Sequence, residues 1–480
     1  MFRQSAISDD NFARQPQLAI EAGSTDTVDT SLLYEELRRK YQLGTCQPLD
    51  VDFRQLVSWT KVGDQLTHQI HPYPAKLLSS IAHFFARASC IVKPNSNLLD
   101  PFCGSGTVAL EASLAGHRPL VCDANPLSQL ITRVKTTTYD TERLRTMTES
   151  VIRRAAAFRS APAIDIVNSH LWYEPLRKRS LERLLRAITE IQDDAERDFF
   201  KICFSVVARK LSYADPSISV PVRLKRKDSF SKETSLRIEE RLTWLATACT
   251  RFEFRKICHA NIARFEKTQA MFPMRLPAVH ISNDARVICE PDIHVNKRVA
   301  PASVQMVITS PPYGSAQKYI RASSLSLNWL ELAKPSGLAA LEAKSIGREH
   351  APGKSTEVAL TLPNEFELLL SNIKKKNSLR HEITRNYLGD MQQALCEISK
   401  VIAPNGHAVI VVGNNQVSGE TLRNDAFCIS AMESYGMKLE MHLLDSIKSR
   451  SLLLKRNSSA PAISRESILV FSKSIGPTKT

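Results

Sequence analysis

Hydrophobic and polar positions change their period several times along this chain of 480 residues. Residues 1 to about 30 are polar and aperiodic, which predicts a flexible lead-in, and "LLYEELRRKY" at 32–41 predicts a short charged helix. The stretch "SNLLDPFCGSGTVALEASLAGHRPLVCDANP" passes from an apolar strand through a glycine-rich corner into an Ala/Leu helix, then into a second strand at 119–122. That order predicts a β-α-β unit. From about 140 to 275 the apolar residues recur at helical spacing with many Arg and Lys between them, as in "LRKRSLERLLRAITEIQDDAERDFFKICFSVVARKL". Strand patterns return at "AVHISNDAR", "SVQMVITSPPY", "GHAVIVVGNN" and "ESILVFSK". A helical block is therefore expected between two parts of one α/β domain. A second insertion of mixed pattern, about 333–385, carries the basic run "IKKKNSLRHEITR". The expected division is an N-terminal extension (1–60), a cofactor-binding part (61–139), the helical insertion (140–275), a catalytic part (276–332), the basic insertion (333–385) and a C-terminal part of the α/β domain (386–480).

Composition changes this picture in one respect. A hydrophobic fraction of 43% with 24% charged residues is ordinary for a globular protein, but a net charge of +15 is not. It favours a polyanionic partner, nucleic acid first and an acidic membrane surface second. No apolar run reaches the roughly eighteen residues of a membrane span, and the N-terminus lacks an apolar signal core, so a soluble, cytoplasmic protein is expected. The ten cysteines stand singly, without the paired spacing of a zinc site or a disulfide scaffold, and no metal is expected.

Candidate chemistry concentrates in two places. "LLDPFCGSGT" ends a strand with Asp100 and turns through Gly104 and Gly106 into a helix, where glycines let a ligand approach the backbone and the helix start offers free N–H groups. Asp123, at the end of the next strand, sits near the offset at which an acid takes a ribose hydroxyl pair. By spacing alone any nucleotide-type cofactor would fit, although the third glycine of a dinucleotide fingerprint is missing. The second place is "TSPPY", where a buried strand runs into a rigid corner. Prolines there cannot continue a ladder, so the corner's carbonyls are left to accept from something else.

"DPFCGSGT", "TSPPY" and the upstream "HPYPAK" together resemble the signature of the S-adenosylmethionine-dependent methyltransferases that modify exocyclic amino groups of DNA bases. The likeness extends over about 71–473 outside the insertions. It implies an α/β, Rossmann-like class I methyltransferase sheet with a mostly helical insertion, with S-adenosyl-L-methionine as cofactor. It also implies that Asp100, Phe102, Gly104 and Gly106 line the methionine and sulfonium part, that Asp123 holds the ribose, that Asp284 reaches the adenine amine, and that Tyr73 and Lys76 lie near the cofactor carboxylate. The implied catalytic group is Ser310, Pro311, Pro312 and Tyr313.

Such an activity fits those residue types. A base amine delocalises its lone pair into the ring, so acceptors must hold its hydrogens and align it with the methyl group. The Ser310 hydroxyl and Pro311 carbonyl suit that task, Pro312 stiffens the corner, and Tyr313 can stack on a base flipped from the duplex. Within the resembled family, Ser at the first corner position goes mostly with cytosine-N4 enzymes. The implied activity is site-specific methylation of cytosine N4 in double-stranded DNA, as in restriction-modification. The rivals are adenine-N6 methylation, RNA guanine-N2 methylation and a DNA-binding protein that has lost catalysis. The order of motifs departs from the commoner cytosine-N4 arrangement, because the glycine-rich motif precedes the Ser-Pro-Pro-Tyr corner. Which insertion reads DNA, the oligomeric state and any companion restriction endonuclease stay open.

Overall fold

The structure, a computed structural model, describes residues 29–74, 76–292, 295–314, 318–348, 362–447 and 464–474. The expected lead-in over 1–28 and part of the basic insertion, 349–361, lie outside the described residues. The strands are β1 (Leu49–Asp50), β2 (Asn97–Asp100), β3 (Arg118–Cys122), β4 (Val279–Ser282), β5 (Val304–Thr309), β6 (Ile402–Val412), β7 (Asn415–Val417), β8 (Glu420–Leu422), β9 (Met437–Ser446) and β10 (Arg465–Lys473). β7 and β8 form a separate hairpin, and the others make one sheet in the order β1-β9-β10-β6-β5-β2-β3-β4. All its neighbours run parallel except β10, which is antiparallel to both β6 and β9.

From β2 the chain steps outward through β3 to β4 on one side, and from β5 to β6 on the other. The order therefore reverses between β2 and β5, and in open α/β sheets ligands bind at the carboxyl ends of the strands flanking such a reversal. Asp100 is the last residue of β2 and Thr309 the last of β5. The Rossmann-like sheet of a class I methyltransferase expected from the sequence is the fold observed.

Strand alternation explains the layers. On one face Leu99, Val307, Ala408 and Ile410 pack with the helices Asn364–Lys376, Ser378–Val401 and Asn424–Ser434. On the other, Leu98, Met306, Ile308, Val409 and Val411 pack with Ser31–Leu43, Ser79–Ala86 and Thr107–Leu114. Successive side chains point to opposite faces, so near-continuous apolar runs such as "VQMVIT" bury both.

The helical insertion lies between β3 and β4. Its long helices are Thr141–Ala157, Pro175–Thr189, Asp194–Lys210, Lys232–Thr247 and Thr250–Met271. Three start on side-chain caps, since Asp140, Asp193 and Ser231 each accept from the backbone N–H three residues on. The block shares one apolar core with Pro126–Thr136 and with Tyr319–Trp329, the helix that follows the Ser-Pro-Pro-Tyr corner. Trp329 is fully buried there, and its indole N–H donates to the Tyr173 hydroxyl at 2.9 Å. Ser205 of the block donates to Ser326 at 2.8 Å and lies 3.0 Å from His71 Nε2, tying the segment before "PYPAK" to the helix after the corner. Ser378–Val401 runs across residue 385, so the expected C-terminal part begins inside a helix. Among the described residues no helix is long and apolar enough to cross a membrane.

Candidate functional site

The β2-to-helix turn bends back on itself through two left-handed glycines. Gly104 has φ +46° and Gly106 φ +70°. A Cβ on Gly106 would lie 2.6 Å from Thr132 Oγ1, because the helices Thr107–Leu114 and Pro126–Thr136 meet at that point. Glycine thus answers both the backbone conformation and the close approach. Lys135, fully buried, donates to the Ser105 carbonyl from below the turn, and burial holds its ammonium pKa well below the usual range.

Two acids sit within this turn. Asp100 is 3% exposed, and its Oδ1 accepts from Phe102 N at 3.1 Å and from Thr309 Oγ1 at 2.7 Å. Asp123 accepts from Gly104 N and from Asn125 N, each at 2.8 Å. Burial pushes the Asp100 carboxyl up to about 7, with the charge of Asp123 adding to it against the two hydrogen bonds. Asp123 is raised by burial as well. Asn125 Nδ2 reaches the Tyr73 hydroxyl at 3.1 Å and Ser323 Oγ at 3.2 Å, so Tyr73 is held beside the residue whose backbone N–H binds Asp123. The Tyr73 ring also lies against Gly104, 3.5 Å from where its Cβ would stand.

Two buried carboxylic acids with raised pKa values favour a ligand that brings positive charge, since a cation offsets the burial cost of ionising them. S-adenosyl-L-methionine carries a sulfonium and an ammonium, and the donor set fits it.

The Ser310 to Gly314 corner stands directly after Thr309. Ser310 Oγ lies 3.3 Å from Tyr313 Oη, which donates to Glu466 Oε1 at 2.9 Å. Behind the corner, Tyr387 Oη donates to the Pro312 carbonyl at 3.0 Å and lies 3.1 Å from Asn424 Oδ1. Asn415, at the start of the β7–β8 hairpin, donates to the Gly314 carbonyl at 2.9 Å. A Cβ on Gly314 would come within 2.9 Å of the Tyr387 ring. The carbonyls of Pro312 and Gly314 are therefore used by the protein, while Pro311 accepts no hydrogen bond from the described residues. Phe102 and Tyr313 both pack on the apolar core of that face.

Asp100, Phe102, Gly104, Gly106, Asp123 and Tyr73 are thus brought together, with Ser310 to Tyr313 one hydrogen bond away through Thr309. Lys76 and Asp284 are placed differently. Lys76 is partly buried and donates to the His68 carbonyl at 3.1 Å rather than to either acid. Asp284 lies beyond β4 on the same edge, where it caps its own turn by accepting from Arg286 N at 2.9 Å. The Arg286 guanidinium clasps it at 2.9 Å and 2.8 Å and reaches Asp390 at 2.6 Å.

Thr309, Asn125, Tyr387, Asn415, Asn424 and Glu466 complete the site and were not singled out from the sequence. Thr309 alone carried a signal, as the residue joining a buried strand to the corner.

Residues 69–158 match a family model described as "UPF0020: RMKL-like, methyltransferase domain". The Type II methyltransferase M.MvaI of Kocuria varians is 24% identical over 398 residues, which cover 78% of this chain and 82% of that relative. The Type II methyltransferase M.MjaII of Methanocaldococcus jannaschii is 26% identical over 126 residues, 26% of this chain and 23% of the relative. A structure of a putative DNA modification methylase from Thermus thermophilus, complexed with S-adenosyl-L-methionine, aligns at 18% identity over 42% of this chain and 59% of that one, with a TM-score of 0.22. The chain thus spans less than two thirds of the Methanocaldococcus and Thermus proteins. The segment that resembles a methyltransferase domain is thus seated on β2, β3 and the glycine turn, within a sheet whose strand order is that of a Rossmann-like class I methyltransferase fold.

Proposed function

We propose that the protein is a DNA methyltransferase that transfers the methyl group to the exocyclic N4 amine of cytosine, with the base flipped out of the duplex. The observation that carries the reading is the Thr309 to Asp100 hydrogen bond, which sets the Ser-Pro-Pro-Tyr corner beside the acids of the cofactor turn. S-adenosyl-L-methionine, when bound, supplies an electrophilic methyl on sulfur. Asp100 meets its positive charge beside the glycine turn, Asp123 takes its ribose hydroxyls, and Tyr73 lies against the turn. Ser310 Oγ and the Pro311 carbonyl accept the hydrogens of the amine, drawing its lone pair out of the ring toward the methyl group. Tyr387 and Asn415 hold the corner in place before the base arrives, so little reorganisation is needed during transfer. Tyr313 offers a ring face for stacking, worth about 1–3 kcal/mol per base. Asp284 for the adenine amine and Lys76 for the cofactor carboxylate belong to the same reading, and both would have to leave their present partners.

The relatives' Type II methyltransferase descriptions support double-stranded DNA as substrate, as does the net charge of +15. Incubating DNA with the protein and cofactor, followed by nucleoside mass spectrometry, tests the reading directly. N4-methylcytosine is expected. N6-methyladenine would move the target base, and no modified nucleoside with RNA methylated instead would overturn DNA as substrate. In single-turnover assays Ser310→Ala and Tyr313→Ala should slow transfer, the latter also weakening capture of the base. Pro311→Ala, which keeps the carbonyl but loosens the corner, should slow transfer moderately.

A further inference from the structure

Glu466 is the second residue of β10. Because β10 is antiparallel to β6, it begins at the edge where the parallel strands end, beside the corner. Its Oε1 accepts from Tyr313 Oη at 2.9 Å, and Tyr313 Oη lies 3.3 Å from Ser310 Oγ. A tyrosine hydroxyl carries one proton. Given to a carboxylate, that proton leaves the Tyr313 oxygen able only to accept, so the Ser310 proton turns toward Tyr313 and the Ser310 lone pairs stay free for an amine hydrogen. A protonated Glu466 can instead donate to Tyr313, which then donates to Ser310 and turns the Ser310 proton away, where it opposes the amine hydrogens.

We propose that Glu466 is a positioning residue whose carboxylate fixes the direction of hydrogen bonding from Ser310 through Tyr313, and so makes Ser310 an acceptor for the base amine. This rests on the reading of the corner as an amine-binding site. The groups around Glu466 make its charge state responsive. Asp445 stands opposite it on β9, Arg54 reaches Asp445 at 3.6 Å from the helix Phe53–Leu56, and Tyr319 approaches from the helix after the corner. On the β6 side the neighbouring pair is Ser467 with Val412, which brings no charge. Burial raises the Glu466 carboxyl above the usual glutamate range, and Asp445 adds to this while Tyr313 and Arg54 oppose it.

The test is single-turnover methyl transfer to DNA as a function of pH, at saturating cofactor and DNA so that cofactor affinity does not enter. The parent should lose rate as pH falls through the raised Glu466 pKa. Glu466→Gln, whose amide oxygen still accepts from Tyr313 but does not titrate, should keep transfer and lose that acid limb. Glu466→Leu should transfer on the order of tenfold more slowly at every pH with cofactor and DNA binding unchanged. An unaltered acid limb in Glu466→Gln overturns the proposal, as does parental transfer in Glu466→Leu. If Glu466→Leu does not fold, the near-isosteric Gln variant decides alone. Parental transfer in Ser310→Ala would instead overturn the amine-site reading beneath it, whereas a slowed Ser310→Ala with both Glu466 variants at parental behaviour overturns only the role of Glu466.

Discussion

Thr309 Oγ1 donates to Asp100 Oδ1 at 2.7 Å, joining the last residues of β5 and β2 across the point where strand order reverses. The acid that faces the cofactor turn and the corner that follows Thr309 are therefore held in one register by a buried side-chain contact. A cofactor acid free to move by an ångström relative to the corner would misalign methyl and amine, and alignment is the main thing a transfer from sulfonium requires of the protein. Thr309→Val, which keeps shape and removes the donor, should slow single-turnover transfer on the order of tenfold with the fold intact by circular dichroism.

Under the proposed reading Asp100 meets the cofactor, and its carboxyl, raised from 3.8 to about 7, would make cofactor affinity depend on pH. The cationic ligand prefers the ionised acid, so affinity should rise as pH climbs toward about 7 and level beyond it, with proton release on binding. Calorimetry in buffers of different ionisation enthalpy measures both. Asp100→Asn should reduce the proton release and weaken binding at neutral pH by about 10- to 100-fold. The ligand-free fold should respond in the opposite sense. A carboxyl that binds its proton more tightly when folded contributes stability below 3.8 and loses it as pH rises toward about 7, so Asp100→Asn should melt higher than the parent at pH 8 without ligand.

A second buried network is structural. Glu111, fully buried on the helix Thr107–Leu114, accepts from Trp59 Nε1 at 2.6 Å and lies 2.7 Å from His68 Nε2 and 3.2 Å from His83 Nδ1. It ties the segment before "HPYPAK" to the helix that follows Gly106. Glu111→Ala strands those partners and leaves a cavity, at a cost of about 3–5 kcal/mol, and thermal unfolding should show it as a large drop in Tm.

Much of this was legible in the sequence, for physical reasons that differ by element. Runs buried on both faces, such as 304–309, announce central strands, and the glycines at 104 and 106 announce a turn that only they can make. β9 escaped notice although Met437, Leu439, Met441 and Leu443 alternate along it, because Lys438, Glu440 and His442 give the stretch a polar look. The helix Asn364–Lys376 and the first two turns of Ser378–Val401 were hidden by their charged outer faces, which read as a mixed basic insertion. The site partners Tyr387, Asn424 and Glu466 are distant in sequence from the corner that they hold, and no local pattern marks a residue whose role depends on where another strand ends. Asp284 shows the converse case: its motif stood out, yet a neighbour two residues on takes its carboxylate.

Tyr387 offers a test of how far the corner is set in advance. Its hydroxyl fixes the Pro312 carbonyl at 3.0 Å, and its ring fills the space over Gly314. Tyr387→Phe keeps the ring and removes the hydrogen bond, so transfer should fall about fivefold to tenfold while cofactor affinity holds. Gly314→Ala forces a Cβ to 2.9 Å from the ring, displaces the corner and should cost more transfer than Tyr387→Phe. Equal transfer rates in all three proteins would show that the corner is not positioned from behind.

DNA contact should be readable in the salt dependence of binding. The loop of the helical insertion that contains Arg223, Lys225, Arg226 and Lys227 presents all four side chains to solvent, and they follow one another closely enough to lie along a phosphate backbone. Two are braced on aromatic rings, Arg223 at 5.7 Å from the Tyr213 ring and Lys227 at 5.5 Å from that of Phe230, which limits the entropy lost on binding. Arg226 already pairs with Glu239 at 2.6 Å, so part of any phosphate contact it makes is offset by breaking that pair. Each phosphate neutralised contributes about 0.9 to the slope of log affinity against log salt concentration, so changing all four residues to Gln should flatten that slope by about three. Affinity should fall evenly across DNA sequences, because phosphate contacts carry no base information. An unchanged slope would return the loop to an ordinary solvated surface and direct attention to the exposed Lys374, Lys375 and Lys376 at the end of Asn364–Lys376.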